Sequence, residues 1–183
     1  MKVLDLGCGN ARLYQFLSKK RIDYLGIDPS KTLTNLNKKN YPGTRFEIGD
    51  GLDLKYKNKF DIIISIAVLH HIPSKELELN FLQNCHKALK PNGKLFLTVW
   101  NRWQDKFKKY FSMTKLYSDM TKNDLIVPWK NTKSKRFIHA FTKEGLKNLA
   151  KKSGFSNINC YYSDKNGEAN KNKGLNISLI ARK

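Results

Sequence analysis

The chain has 183 residues and a mass of 21.2 kDa, a size that suits one domain with its own core. Its longest apolar stretch, Ile62 to Leu69, falls far short of the roughly 20 residues that a membrane-crossing helix needs. With 35 Lys and Arg against 15 Asp and Glu, the net charge is +20, a field that draws polyanions.

Three scattered cysteines (Cys8, Cys85, Cys160) with no CxxC pair exclude a disulfide framework and a cysteine-based zinc site. A cytoplasmic home is therefore expected. No leader peptide is expected either, because an acid and a glycine turn follow Met1 almost at once.

Strand and helix signals then alternate. "KVLDL" (Lys2 to Leu6) reads as a buried strand, after which Leu13, Phe16 and Leu17 mark one face of a helix. "YLGID" (Tyr24 to Asp28) is a second strand, and Pro29-Ser30 opens a helix that ends near the "YPGT" turn at Tyr41. "RFEIG" is a third strand. "FDIIISI" is a fourth, β-branched enough to lie centrally with both faces covered. Ser74 caps a helix in which Leu77, Phe81, Leu82, Cys85, Ala88 and Leu89 keep helical spacing. "KPNG" closes it, and "KLFLTVW" is the fifth strand.

This alternation predicts an α/β fold with a parallel sheet and right-handed crossovers. Residues 101–141 break the pattern, being basic and aromatic with weak periodicity, and read as an insertion on the substrate side of a single domain spanning 1–183. A further helix runs from about Thr142 to a terminating Gly154. "NINCYY" and "LNISLIARK", joined by a loop and no helix, predict an antiparallel pair on an otherwise parallel sheet.

The turn after the first strand poses a ligand question. A dinucleotide fingerprint would place its third glycine at position 12, where Arg12 stands, and the Gly-Lys-Ser/Thr ending of a phosphate loop is missing. Asp5 would repel a pyrophosphate, so an acid here suits a cationic ligand better. Two more acids close the next strands. Asp28, 19 residues after Gly9, can accept ribose hydroxyls, and Asp50 follows the third strand. Asp61 opens the fourth strand and reads as structural.

"VLDLGCGNAR" resembles the first motif of the class I methyltransferases that use S-adenosylmethionine (SAM), with Ala11 in place of the motif's last glycine. The resemblance implies a Rossmann-like fold: a mostly parallel seven-stranded sheet with an antiparallel C-terminal strand and helices on both faces. It implies SAM as cofactor, with Asp5, Gly7 and Gly9 facing the methionine half. Asp28 would then hold the ribose and Asp50 the adenine amino group, with Gly51, Leu52 and Ala67 completing the site.

"IAVLHHI", "LKPNGKLFLTVWN", "LIVPWK" and "RFIHAFTKEGL" together resemble the tRNA wobble-uridine methyltransferases, which methylate the carboxylate of 5-carboxymethyluridine. That implies the anticodon loop of tRNA as partner, and a small zinc-binding activator protein of the kind eukaryotic relatives use. No metal site in the chain and no membrane association are expected. His70, Arg136 and His139 would be catalytic. His71, Asn101, Trp129 and Arg136 would hold the substrate.

The chemistry agrees. A carboxylate acceptor is ionised at neutral pH and needs alignment more than a base. Adjacent histidines on extended backbone point to opposite faces, and the planar fork of Arg136 suits a carboxylate or phosphate. Residues 102–136 hold 10 basic and 3 acidic side chains, interleaved with Trp103, Phe107, Tyr110, Phe111, Tyr117 and Trp129. Stacking plus phosphate contacts is how single-stranded RNA is gripped. A helical lid, a small-molecule methyltransferase and a non-catalytic SAM- or RNA-binding subunit are the alternatives for this region and this chain.

Overall fold

A computed structural model describes residues 1–104, 107, 120–128 and 133–183. Five strands, β1 (Lys2–Leu6), β2 (Asp23–Asp28), β3 (Arg45–Ile48), β4 (Phe60–Ile66) and β5 (Leu89–Trp100), pair in parallel. The buried run of β1 and the isoleucine-rich run of β4 lie side by side in the parallel part of the sheet. From β1 the chain steps outward to β2 and β3, then returns to the other side for β4 and β5. The order reverses between β1 and β4, where open α/β sheets bind their ligands.

Beyond β5 come β10 (Asn176–Arg182), antiparallel to both its neighbours, and β8 (Ser156–Asp164). These seven strands form the expected sheet with one reversed strand. A three-residue strand, β9 (Gly167–Ala169), hairpins onto the edge of β8 as an eighth.

The helices α1 (Arg12–Leu17), α2 (Lys31–Asn40), α3 (Lys75–Ala88) and α4 (Lys143–Lys152) cover the sheet. Their starts are local and legible. Ser30, Ser74 and Thr142 accept hydrogen bonds from the amides of Leu33, Leu77 and Gly145 at 3.3, 3.2 and 2.9 Å. On one face, Leu4, Leu25 and Ile63 share a core with Phe81 and Leu82 of α3 and Leu146 and Ala150 of α4. On the other, Tyr24 and Phe46 pack with Cys8, Ala11, Tyr14 and Leu17.

Three expectations change. Phe16 is 73% exposed; α1 has only six residues, and it is Tyr14 and Leu17 that turn onto the aromatic cluster. Strand β5 starts at Leu89, because the "KPNG" turn is absorbed as an irregularity opposite Phe60 and Ile62. Within 101–141, β6 (Asp124–Pro128) and β7 (Lys135–His139) form a separate antiparallel pair, so the described part of this segment is a hairpin and not a helical lid. Its inner residues Leu125, Val127 and Ile138 pack with Ala140, Trp100 and Trp103. Tyr110, Phe111, Tyr117 and Trp129 lie outside the described residues. No helix among the described residues is long and apolar enough to cross a membrane.

Candidate active site

The turn after β1 is built on bare backbone. The amides of Gly7 and Cys8 both donate to the carbonyl of Ile27, at 2.8 and 3.0 Å. Gly7 has φ +78°, and a Cβ there would lie 2.2 Å from Cγ2 of Val68, so only glycine lets the end of β4 close over β1. The Gly9 amide donates to Oδ2 of Asp28 at 2.8 Å, and the Ser30 amide to Oδ1 at 2.9 Å. Asp28 thereby ties the glycine turn to the start of α2. Ala11 takes the left-handed backbone (φ 57°) that the motif's glycine would occupy, its methyl fully buried.

Against this turn lies a cavity of about 300 Å³ whose wall includes Gly7, Pro29, Asp50, Gly51, Leu52, Val68, His71 and Phe81. At Gly51 a Cβ would meet Cε2 of Phe81 at 2.3 Å, so bare backbone forms this wall. Asp50 accepts from the Leu52 amide at 2.9 Å. Asn84 donates from Nδ2 to the carbonyls of Gly51 and Leu52, at 3.0 and 2.9 Å, and Asn80 to that of Leu52 at 3.1 Å. These asparagines, one turn apart on α3, hold the acidic loop in place. Sequence reading missed them, although their i, i+4 spacing was a usable signal.

Four expected cofactor residues stand off that wall: Gly9 and Asp28, joined by the hydrogen bond above, and Asp5 and Ala67. Asp5 is only 3% exposed and accepts from the Tyr24 hydroxyl at 2.7 Å, under the turn rather than on the cavity wall. Burial pushes its carboxyl up to about 6, against the Tyr24 hydrogen bond and with help from Asp28. Ala67 ends β4 with φ 60° and donates to the Thr98 carbonyl at 2.9 Å. It sets the path into Val68 without lining the cavity.

His70 and His71 sit in a tight 3-10 turn (Leu69–His71), not on extended backbone, so their rings stay 4.2 Å apart. His71 is the one on the cavity wall. Its Nδ1 donates to the Phe137 carbonyl at 3.0 Å, which leaves Nε2 as the acceptor of the neutral ring. Burial lowers its pKa, the Phe137 hydrogen bond opposes that, and Arg136 and Arg102 lower it further. His70 has 0% exposure and cannot touch a substrate. It stacks 4.7 Å from Trp100, whose amide it accepts at Nδ1 (3.4 Å), and burial keeps it neutral.

Around that indole the positive groups collect. The guanidiniums of Arg102 and Arg136 lie 4.2 and 4.5 Å from the Trp100 ring centre. Arg136 immediately precedes Phe137, so the pair stands beside His71. Arg102 went unrecognised in the sequence because only folding brings it next to Arg136.

Asn101 is 1% exposed and structural. It donates to the carbonyls of Lys171 and Gly174 at 2.7 and 2.8 Å and accepts from the Trp103 amide, pinning a loop instead of binding substrate. His139 faces away from the cofactor cavity. Its Nδ1 meets Oδ1 of Asp124 at 2.6 Å in a separate hollow, so it does not join His71 and Arg136. Trp129, expected at the substrate, lies outside the described residues.

The donor set fits an adenosine-bearing cation. Asp50, beyond the end of β3, offers an acceptor for a hydroxyl or amino group, Leu52, Val68 and Phe81 offer apolar walls, and the glycines allow close approach.

Residues 1–159 match the family described as a methyltransferase domain. A candidate methyltransferase of Encephalitozoon cuniculi is 31% identical over 157 residues, covering 84% of this chain and 69% of that protein. The tRNA (carboxymethyluridine(34)-5-O)-methyltransferase of Saccharomyces cerevisiae is 30% identical over 133 residues, 72% of this chain. A ubiquinone biosynthesis O-methyltransferase of Coxiella burnetii is 32% identical over 113 residues, 59% of this chain. The chain spans 45% and 46% of the lengths of these last two proteins. Among solved structures, a SAM-dependent methyltransferase from Methanosarcina mazei superposes with a TM-score of 0.82 at 20% identity, covering all of this chain and 92% of that one.

Proposed function

Since this chain belongs to the methyltransferase domain family and is a SAM-dependent methyltransferase, we propose that it methylates the carboxylate of 5-carboxymethyluridine at the wobble position of tRNA. The observation that carries this reading is the pair of guanidiniums at Trp100, beside the cavity wall formed by His71. Bound SAM supplies a methyl already activated by its positive sulfur. Asp28, Asp50 and the backbone of Gly7, Gly9 and Gly51 would hold it.

The chain's own task is then alignment. An anionic acceptor meets Arg102 and Arg136, which orient it by charge and by planar hydrogen-bonding edges. His71 stays neutral with Nε2 as an acceptor, so it adds no competing positive charge at the acceptor. Trp100 and the basic segment 101–141 offer stacking surface and phosphate contacts to an anticodon loop. The yeast relative's acceptor, as its name gives it, supports the same choice. Action in the cytoplasm and help from a small zinc-binding activator belong to this reading as well.

The test uses the alkali lability of a methyl ester. The protein is incubated with methyl-labelled SAM and tRNA carrying unesterified carboxymethyluridine. Mild alkali should then release most of the transferred label as methanol. Arg136→Ala should lower transfer by about a hundredfold while leaving SAM affinity nearly unchanged, because it acts on acceptor alignment. Label that stays on the RNA refutes the ester. The Coxiella relative, an O-methyltransferase by name, motivates the second reading, a small-molecule acceptor; transfer to a small hydroxyl compound, with none to tRNA, would establish it.

A further inference from the structure

Strand β10 runs against its neighbours, and that carries the loop before it to the ligand edge of the sheet. Asn176, the first residue of β10, faces Trp100, the last of β5, on one side and Ser163, near the end of β8, on the other. Loop 170–175, which joins β9 to β10, therefore stands beyond the carboxyl ends of the parallel strands, where open α/β sheets bind their ligands. None of its residues lines the cofactor cavity. Its neighbour on that edge is the acceptor side, at Trp100.

The loop is held in a fixed shape by the same stretch of chain that carries Arg102. Asn101 donates from Nδ2 to the carbonyls of Lys171 and Gly174, and its amide donates to the Leu175 carbonyl at 3.0 Å. Gln104 donates from Nε2 to the carbonyls of Gly174 at 3.0 Å and Asn172 at 3.3 Å. Within the loop, Oδ1 of Asn170 accepts from the amides of Asn172 and Lys173, at 3.1 and 3.0 Å. At Gly174 a Cβ would lie 2.8 Å from Cβ of Tyr162, so bare backbone lets the loop close on β8. With its backbone spent on these partners, the loop offers outward the exposed side chains of Lys171, Lys173 and Leu175.

That offering is chemically specific. Lys171 and Lys173 are the only charges in the loop, and neither forms an ion pair among the described residues. Nζ of Lys171 lies 5.7 Å from the ring centre of Trp103, the residue after Arg102. Positive charge thus continues from the guanidiniums at Trp100 onto the loop, and Leu175, 49% exposed, adds an apolar face. Cations in succession beside an apolar face complement a single nucleic-acid strand, which carries phosphates in succession and bares the faces of its bases. A small acceptor would end at the arginines and leave the lysines unused.

We propose that loop 170–175 is a second wall of the acceptor site, where Lys171 and Lys173 hold phosphates of the RNA strand flanking the methylated nucleotide. The proposal rests on the RNA reading above.

Reversing both charges, Lys171→Glu with Lys173→Glu, tests it against a control pair, Lys38→Glu with Lys39→Glu, in the last turn of α2. Helix α2 starts after the carboxyl end of β2 and runs back toward the start of β3, so the control makes the same charge change at the opposite edge of the sheet. Binding of tRNA is followed by filter retention across a salt series. The loop reversal should weaken it at least about tenfold and flatten the slope of log affinity against log salt by about 1.4, as expected for two lost single-strand phosphate contacts. The control should change affinity less than about threefold and keep the slope. All four lysines are exposed, so both proteins should keep the wild-type urea midpoint and affinity for S-adenosylhomocysteine. In esterification the loop reversal should raise KM for tRNA about tenfold and leave kcat within about twofold, because it removes strand binding and not alignment at Arg136.

Equal losses in the two pairs, or an unchanged salt slope in the loop reversal, would overturn the proposal and leave the RNA reading in place. A protein that binds tRNA through the loop yet transfers no alkali-labile methyl refutes only the acceptor. A wild-type protein that retains no tRNA even at low salt overturns both.

Discussion

Gly7→Ala is the sharpest test of how the cofactor wall is built. The new Cβ would lie 2.2 Å from Cγ2 of Val68 and 3.4 Å from its Cβ and Cγ1. Val68 is β-branched and turns only about χ1, so rotation exchanges one methyl for the other and brings little relief. The left-handed backbone adds about 1–2 kcal/mol for a residue with a Cβ, and the overlap about 1–3 kcal/mol more. The variant should therefore lose about 2–5 kcal/mol of stability, measured by urea unfolding, and bind SAM more weakly.

Val68→Ala in the same chain removes the overlap and leaves the backbone strain. The double-mutant cycle should return a coupling of about 1–3 kcal/mol in favour of the pair. If Gly7→Ala costs under about 1 kcal/mol, or the double variant is as unstable as the sum of the singles, the close approach of β1 and β4 is not what fixes this wall.

Asp28→Ala should reduce SAM affinity by about 1.5–3 kcal/mol in calorimetry. Asp61→Asn, which touches only Lys90 and the Lys2 amide, should leave it unchanged. Stability should fall as pH rises from 4.5 toward about 8, because the native state holds a proton on Glu78 that the unfolded chain has released; Glu78→Gln should flatten this slope in pH-dependent unfolding. His70 acts with the opposite sign: below pH 6.5 the unfolded chain binds a proton that the buried ring refuses, so stability also falls there, and His70→Phe should remove that loss. Binding to tRNA, followed by filter retention, should weaken steeply with salt through counterion release, and a flat salt dependence would disfavour an RNA partner.

What could be read from the sequence was what short segments decide for themselves. Ser30, Ser74 and Thr142 cap helices because their hydroxyls lie within three residues of the amides they accept. The glycine turn and Asp28 were legible for a similar reason, since strand lengths and a single turn fix their meeting. The rest depended on distant partners. Asn101 resembles a substrate ligand until Lys171 and Gly174 arrive some seventy residues later to occupy its amide. His70, expected to be catalytic, leaves the site while His71 stays on the cavity wall, because the backbone at Leu69 tightens into a 3-10 turn that no local residue announces. The β6–β7 hairpin did leave traces, the "LIV" of one strand and the "FI" of the other, but lysines around them masked the alternation. Glu78 sat among exposed-looking helix positions, and its burial, with Asp124 brought near from far along the chain, shows only in the fold.

The position of β10 bears on how this sheet is assembled during synthesis. It is made after every other strand, yet it lies inside the sheet, its residues Asn176 to Arg182 facing Trp100 to Lys94 on one side and Ser163 to Ser156 on the other. Until it leaves the ribosome, β5 has an open edge and β8 has only the three residues of β9 to pair with. The β1–β5 half, whose crossovers are local, can form early while the right-hand third waits. During that interval the bare edge of β5, "LFLTVW", is an adhesive strip for any passing strand. The speed at which β8 to β10 emerge thus becomes a determinant of yield.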